Sequence, residues 1–281
     1  MGGFHHPSVD ALLRLALTED IGTGDVTANA CIPADLVWTG RLLAKERLVL
    51  AGMAYFIRTF ELLDERVVVT PLVDDGVEVD KGTFVAEVRG PARSLLTGER
   101  TALNVVQRLS GTATLTRRWV EALSGTGARV VDTRKTTPGM RVMQKHAVAV
   151  GGGTNHRFGL DSGVLIKDNH IAACGSLAAA VERCRAVAPH LLKVEVEVVD
   201  LDMVRQAVAA KADVILLDNM DTAMMREAVG IIRAAGRDVL VEASGGLTLE
   251  RAREVAETGV DLISVGGLTH SAKSADLSLE L

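Results

Sequence analysis

From about Ala128 onward the chain repeats one unit, a short apolar strand followed by an amphipathic helix. This alternation restricts the fold more than any other feature. The strand-like runs are ARVVD (128–132), GVLIK (163–167), KVEVEVV (193–199), ADVILLD (212–218), DVLVEAS (238–244) and DLISVGG (261–267). Helical patterns fall at 176–188, 201–210, 222–235 and 248–258. Apolar strands separated by helices read as a parallel sheet covered by those helices. Most of the runs end in a polar or glycine position: Asp132, Lys167, Glu197, Asp218, Ser244 and Gly266. In a β/α barrel, functional groups come from the carboxyl ends of several strands. A doubly wound open sheet would gather them at one switch point and place a glycine fingerprint after its first strand. Neither GxGxxG nor a Walker A motif occurs, so the pattern predicts an incomplete α/β barrel.

The first 112 residues follow other rules. A helix is predicted over 8–18, leading into the turn-rich EDIGTGDVT, then strand over 38–50, helix over 53–63 and strand over 66–73. The segment DDGVEVDKGTFVAEVRG (74–90) alternates around a glycine turn, which is hairpin grammar. Two helices follow, at 94–109 and 112–123, and a further element is expected at 144–150. These features predict an α+β domain over 1–112 and a barrel over 113–270. The tail, 271–281, alternates polar and apolar residues and is expected to return to the N-terminal sheet.

A chain of 281 residues has room for both domains. Its net charge of -5 argues against general binding to nucleic acid or to an anionic membrane. No apolar run approaches the ~20 residues that span a bilayer. Cys31, Cys174 and Cys184 form no CxxC pair and suit reduced thiols. A soluble, cytoplasmic protein is expected.

Against that acidic background, three turn cassettes collect cations. DTRKTTPGM carries Arg134 and Lys135, GGGTNHRFGL carries His156 and Arg157, and VLIKDNHI carries Lys167. Gathering like charges is costly unless anions pair with them, so a phosphorylated compound or a di-acid is expected. Arginine presents a planar fork suited to carboxylate, lysine a point charge suited to phosphate. For Lys167, imine formation with a carbonyl substrate and charge pairing with an anion both remain open. VEVEV puts Glu195 and Glu197 on one strand face. Glu197 and Asp218 suit Mg²⁺ held through water, or ribose hydroxyls. For Glu195 a charge pair within the barrel and a functional role are equally expected. EASGG and SVGGLTHS close the last two strands with glycine turns, where barrels often bind phosphate. Arg100, in ERTALN, reads on its own as a surface arginine.

Taken together, EDIGTGDVT, ERTALNVVQRLSGTATLT, DTRKTTPGM, GGGTNHRFGL, VLIKDNHIAA, VEVEV, ILLDNM, EASGGLTLE and TGVDLISVGGLTHS resemble the quinolinate phosphoribosyltransferases over almost the full chain. The resemblance implies that 1–112 form an N-terminal α/β sandwich domain, joined by the C-terminal tail, beside an incomplete α/β barrel of about seven strands. It implies a reaction of quinolinate with phosphoribosyl pyrophosphate (PRPP) and Mg²⁺. The products are nicotinate mononucleotide, pyrophosphate and CO2, in de novo NAD synthesis. By matching motif, Arg134, Lys135, His156, Arg157 and Lys167 would receive the quinolinate carboxylates and pyrophosphate. Glu197 and Asp218 would hold the ribose hydroxyls and Mg²⁺, and Lys135, Lys167, Glu197 and Asp218 would carry the chemistry. Ser244, Gly245, Gly246, Gly266, Gly267 and His270 would bind the 5′-phosphate. A homodimer, or an assembly of dimers, is implied, with Arg100 reaching the neighbour's site. The chain departs from the family pattern at His146 and Ala149, where the family has Tyr and Arg, and at Gly267, where it has Ala. Three readings compete: a sister enzyme encoded with molybdate-transport genes, whose pattern lacks the full TNHR and IKDNH cassettes, an aldolase using Lys167 as nucleophile, and a binding protein without turnover.

Overall fold

The sequence folds into two units in the computed structural model, which describes residues 6–236 and 238–281. The chain opens with helices α1 (Pro7–Ile21) and α2 (Val26–Cys31), then strands β1 (Val37–Ala44) and β2 (Leu48–Val49). Helix α3 (Met53–Leu63) precedes β3 (Val68–Pro71), β4 (Glu78–Val79), β5 (Phe84–Pro91) and the long α4 (Ala92–Ala122). Next come β6 (Arg129–Val131), α5 (Arg141–Val150), β7 (Val164–Ile166), α6 (Asp168–Cys174), α7 (Leu177–Val187) and β8 (Val194–Val198). They are followed by α8 (Leu201–Ala209), β9 (Val214–Asp218), α9 (Thr222–Ala234) and β10 (Leu240–Ser244). The chain ends with α10 (Ala252–Ala256), β11 (Leu262–Ser264), α11 (Gly267–His270) and β12 (Leu277–Glu280).

The first unit holds the chain up to Arg117 together with Thr136–Gly152 and Gly267–Leu281. Its antiparallel sheet has the order β12-β1-β5-β3. One face of it buries Leu42, Val88, Leu277 and Leu279 against Phe56 and Phe60 of α3 and Leu95 of α4. The tail supplies β12, whose residues pair from Arg41↔Glu280 to Ala44↔Leu277. The segment 74–90 is not the predicted hairpin. β4 pairs with β2, while β5 pairs with β1 and β3, because each strand finds its apolar partners on a different neighbour. Nor is there a break near residue 110. Gly111 lies inside one continuous α4, and a Cβ there would fall on the Lys273 carbonyl. Close backbone approach, not a helix stop, explains that glycine. A second core joins Val9 and Leu13 of α1 to Tyr55, Leu109 and Met143. His146 packs edge-on to Tyr55 at 5.7 Å, and its Nε2 lies 3.6 Å from Asp75. Asp75 in turn accepts from the amides of Gly52 and Met53 at the start of α3.

The second unit, Arg118–Lys135 with Gly153–Gly266, is the repeating region. Its six strands are all parallel in the order β6-β11-β10-β9-β8-β7. The free edge of β6 takes a single-residue bridge from Thr154, which fills the place of a seventh strand. Register sorts the side chains. Val194, Val196, Val198, Ile215, Leu217, Val241, Ala243 and Ile263 are all buried and alternate with the inward positions. In-register neighbours share a face, so the other face carries Leu165, Glu195, Glu197, Leu216, Asp218, Glu242, Ser244 and Ser264. Three of the covering helices start at side-chain caps. Ser176, Asp200 and Asp221 accept from the amides of Ala179, Met203 and Met224. Strand, short turn and capped helix thus place each strand's carboxyl end at the same rim. Among the described residues no helix is long and apolar enough to cross a membrane.

Candidate functional site

Lys167 follows β7 directly and serves as the N-cap residue of α6. Its amide donates to His170 Nδ1 at 2.9 Å, and its carbonyl accepts from the amides of His170 and Ile171. That backbone anchoring sends the side chain across to β8, where its ammonium pairs with Glu197 Oε2. Glu197 is largely buried and Lys167 half-buried. On the next strand Asp218 ends β9, and its Oδ2 accepts from Asn219 Nδ2 at 2.7 Å. Lys167, Glu197 and Asp218, predicted from separate motifs, therefore occupy three consecutive strand ends on one sheet.

The TNHR turn is held from below by Asp132, which is completely buried at the end of β6. Asp132 accepts from the His156 amide at 2.9 Å and from Asn155 Nδ2 at 2.7 Å. The His156 ring is engaged on both sides. Nδ1 accepts from the Arg157 amide at 2.7 Å, and Nε2 lies 3.0 Å from Glu195 Oε2 and 3.7 Å from Glu242 Oε1. The second separation is too long for a hydrogen bond. Arg157 donates to the Gly163 carbonyl at 3.1 Å. Burial, followed by repulsion from Arg134, pushes Arg157 below the usual guanidinium range, and Glu195 partly restores it. Arg157, depressed by burial and by the charge of Arg134, is suited to receive an anion, since a bound carboxylate relieves the repulsion. Arg134 is half-buried, whereas Lys135 is exposed with its amide on Thr133 Oγ1 at 3.0 Å.

Glu242 escaped the motif reading. It sits mid-strand in β10, 1% exposed, and its carboxyl is pushed above the usual carboxylate range. Burial is the main cause and the Glu195 charge the second, opposed by His156, Ser264 and Lys167. A charged residue two positions before Ser244 in an otherwise apolar strand was the available signal. Among the described residues, His156, Glu195 and Glu242 form the one cluster whose donor atoms lie within 4.8 Å of one another. A cavity of about 260 Å³ reaches it from the amino-terminal side of the strands. A roomier cavity, about 450 Å³, lies against Val37, Arg66, Val68 and Glu87 in the first unit and holds no candidate residue. Chemistry, not volume, locates the site.

The turn after β10 brings Ser244, Gly245 and Gly246 to the same rim. Gly245 has φ of 92° and Gly246 of 58°. A Cβ on Gly245 would fall on the Asn219 side-chain amide, and the Asn219 backbone donates to the Ser244 carbonyl at 3.0 Å. Asn219 itself is left-handed, with φ of 56°. Gly266 follows β11 in this unit. The remaining candidates belong to the first unit. Gly267 and His270 form α11, with His270 Nδ1 2.6 Å from Ser271 Oγ, and Arg100 is exposed on α4.

Family models for the quinolinate phosphoribosyl transferase N-terminal and C-terminal domains match residues 25–110 and 112–280. The chain is 45% identical over 277 residues to a probable nicotinate-nucleotide pyrophosphorylase (carboxylating) of Bacillus subtilis, covering 99% of this chain and 94% of that one. A nicotinate-nucleotide pyrophosphorylase (carboxylating) of Mycobacterium leprae is 44% identical over 274 residues, covering 96% and 95%. Among solved structures, NadC from Streptococcus pyogenes superposes with a TM-score of 0.94 at 41% identity, over 100% of this chain and 98% of that one. The nicotinate-nucleotide pyrophosphorylase of Francisella tularensis gives 0.93 at 41% identity, over 99% and 97%. With both domain models matched in order and relatives this similar end to end, the chain belongs to the quinolinate phosphoribosyl transferase family.

Proposed function

We propose that this protein is a quinolinate phosphoribosyltransferase, working as a cytoplasmic homodimer in de novo NAD synthesis. It converts quinolinate and PRPP to nicotinate mononucleotide, pyrophosphate and CO2. The observation that carries this reading is the division of labour on the parallel sheet. A cationic turn (Arg134, Arg157) stands with Lys167, while acidic strand ends (Glu197, Asp218) lead to a glycine turn. The first set suits a di-acid, the second a ribose and its phosphate.

Arg157 and Arg134 clamp the carboxylates of the pyridine and aim its ring nitrogen. Lys167 contributes positive charge while held by Glu197, an arrangement suited to charge pairing and not to imine formation. As the bond from C1 of the ribose to pyrophosphate breaks, positive charge develops on the ribose beside Glu197 and Asp218, which stabilise it. Lys135, exposed at the turn, meets the departing pyrophosphate. Alkylation makes the ring nitrogen cationic, the C2 carboxylate leaves as CO2, and that cation stabilises the C2 carbanion left behind until it takes a proton from water to give nicotinate mononucleotide. Glu197 and Asp218 also fit a hydrated Mg²⁺. Both offer hard carboxylate oxygens, one of each engaged by Lys167 or Asn219 and the other suited to a metal-bound water. Bound there through water, Mg²⁺ supplies charge neutralisation for the leaving group. Arg100, exposed on α4, is the residue offered to a second copy's site.

The test is to supply PRPP, Mg²⁺ and quinolinate labelled in its C2 carboxyl, with nicotinate as the control acceptor. Labelled CO2 should appear in step with pyrophosphate, and nicotinate should yield neither mononucleotide nor pyrophosphate. Absence of CO2 release sinks the assignment.

A further inference from the structure

Two buried acids on the inner face of the sheet stand where packing alone would favour apolar side chains. At the same layer as Glu195 and Glu242, the neighbouring strands carry Val214, Leu216 and Leu262, so apolar side chains fit there. Glu195 is 6% exposed and Glu242 1%. Each keeps one buried carboxylate oxygen, Oε1, without a hydrogen-bond partner. Unsatisfied buried oxygens and adjacent like charges are destabilising. A chain that retains both must gain something other than stability.

What the two acids touch indicates the gain. Glu195 Oε2 meets His156 Nε2 at 3.0 Å, and Glu242 stands behind the same ring atom at 3.7 Å. The other ring nitrogen receives the amide of Arg157, so the ring is a strut between β8 and the backbone that carries Arg157. Glu195 also offsets the repulsion that Arg134 exerts on Arg157. We infer that Glu195 and Glu242 are positioning residues for the di-acid, acting through His156 to hold Arg157 in its clamp at the expense of stability. Glu197, level with Glu242 through Leu216, pairs instead with Lys167 and keeps, with Asp218, its separate role toward the ribose. The inference rests on the functional reading above and assigns it two further residues.

The experiment compares Glu195→Gln and Glu242→Gln with the native enzyme in three measurements: steady-state kinetics for each substrate, calorimetric binding of quinolinate without PRPP, and thermal unfolding. Quinolinate KM and Kd should rise on the order of tenfold, as for one lost charge-assisted contact. PRPP KM should stay within about twofold, since PRPP is held elsewhere. The thermal midpoint should be equal or higher, because each variant removes a buried charge without changing side-chain shape. A merely structural role predicts a lower midpoint with both KM values rising together, and that result would overturn the inference. Unchanged quinolinate affinity in both variants, beside an active native enzyme, overturns it alone. A native protein that binds quinolinate but releases no CO2 removes the functional reading and leaves the affinity comparison to decide this one. Failure to bind quinolinate removes both.

Discussion

Single residues in this protein are placed by charge as much as by packing. Lys167 is the clearest, tied to α6 by its backbone and to Glu197 by its ammonium. Lys167→Ala should lower kcat/KM roughly 100-fold, the scale of one or two charge-assisted contacts, with little change in the thermal midpoint. Near-normal turnover would count against the assignment. Glu242 supports a prediction about pH. A carboxyl whose folded pKa is raised binds its proton more tightly in the folded state. Its contribution therefore favours the fold below the unfolded value of about 4.3. That contribution is lost as pH rises through the higher folded value. Glu242→Gln should gain stability relative to the native protein as pH climbs from acid to neutral, measured by urea unfolding. A constant offset at every pH would refute the titration. Lys167, Glu197 and Asp218 were legible because each ends a strand. Glu242 was not, since one acid within an apolar strand carries no motif and its neighbours Glu195 and His156 are remote in sequence.

Elements put those residues at a common rim. The registers set Asp218 opposite Ser244, with Glu197 opposite Leu216 one inward position earlier, so all three lie near neighbouring strand ends. The turn after β10 locks against the turn after β9 through Asn219 and Gly245. Gly245→Ala adds a Cβ at a positive φ, onto an occupied position. It should cost at least ~1 kcal/mol of stability and raise PRPP KM on the order of tenfold, with quinolinate KM little changed. Chemical denaturation and paired kinetics read the two effects. Strand-helix alternation predicted this layer correctly because a period of two and a helical stripe are local properties of the chain. It mistook the 74–90 segment for a hairpin and split α4. Strand partners and the Lys273 carbonyl against Gly111 come from far along the sequence.

At the scale of the molecule, the first unit is assembled from three separate stretches of chain. Its last strand is the tail. Ending the chain after Asp276 removes β12 and with it Leu277 and Leu279, 2% and 8% exposed. Two buried leucines contribute about 3–6 kcal/mol, comparable with the whole stability of many domains. The truncated protein should be unfolded or aggregated at 25 °C by circular dichroism and size-exclusion chromatography. The proposed sharing of Arg100 between copies makes another prediction. Mixing the impaired Arg100→Ala and Lys167→Ala subunits in equal amounts should restore activity to about a quarter of native, because one heterodimer site keeps both residues. No recovery after subunit exchange would place Arg100 outside the neighbour's site.

By itself the sequence determined the parallel layer, the strand-end positions of its polar groups, the cationic cassettes and the family they resemble. All of these are written in consecutive residues, as periodicity, turn chemistry and motif. Tertiary structure alone decided that β12 closes the N-terminal sheet in register and that α4 runs unbroken through Gly111. It alone decided that His156 pairs with buried Glu195, with buried Glu242 close behind, from strands far along the chain. Those outcomes depend on which distant atoms share a low-dielectric interior, where an unpaired oxygen or a like charge has consequences that it lacks in water.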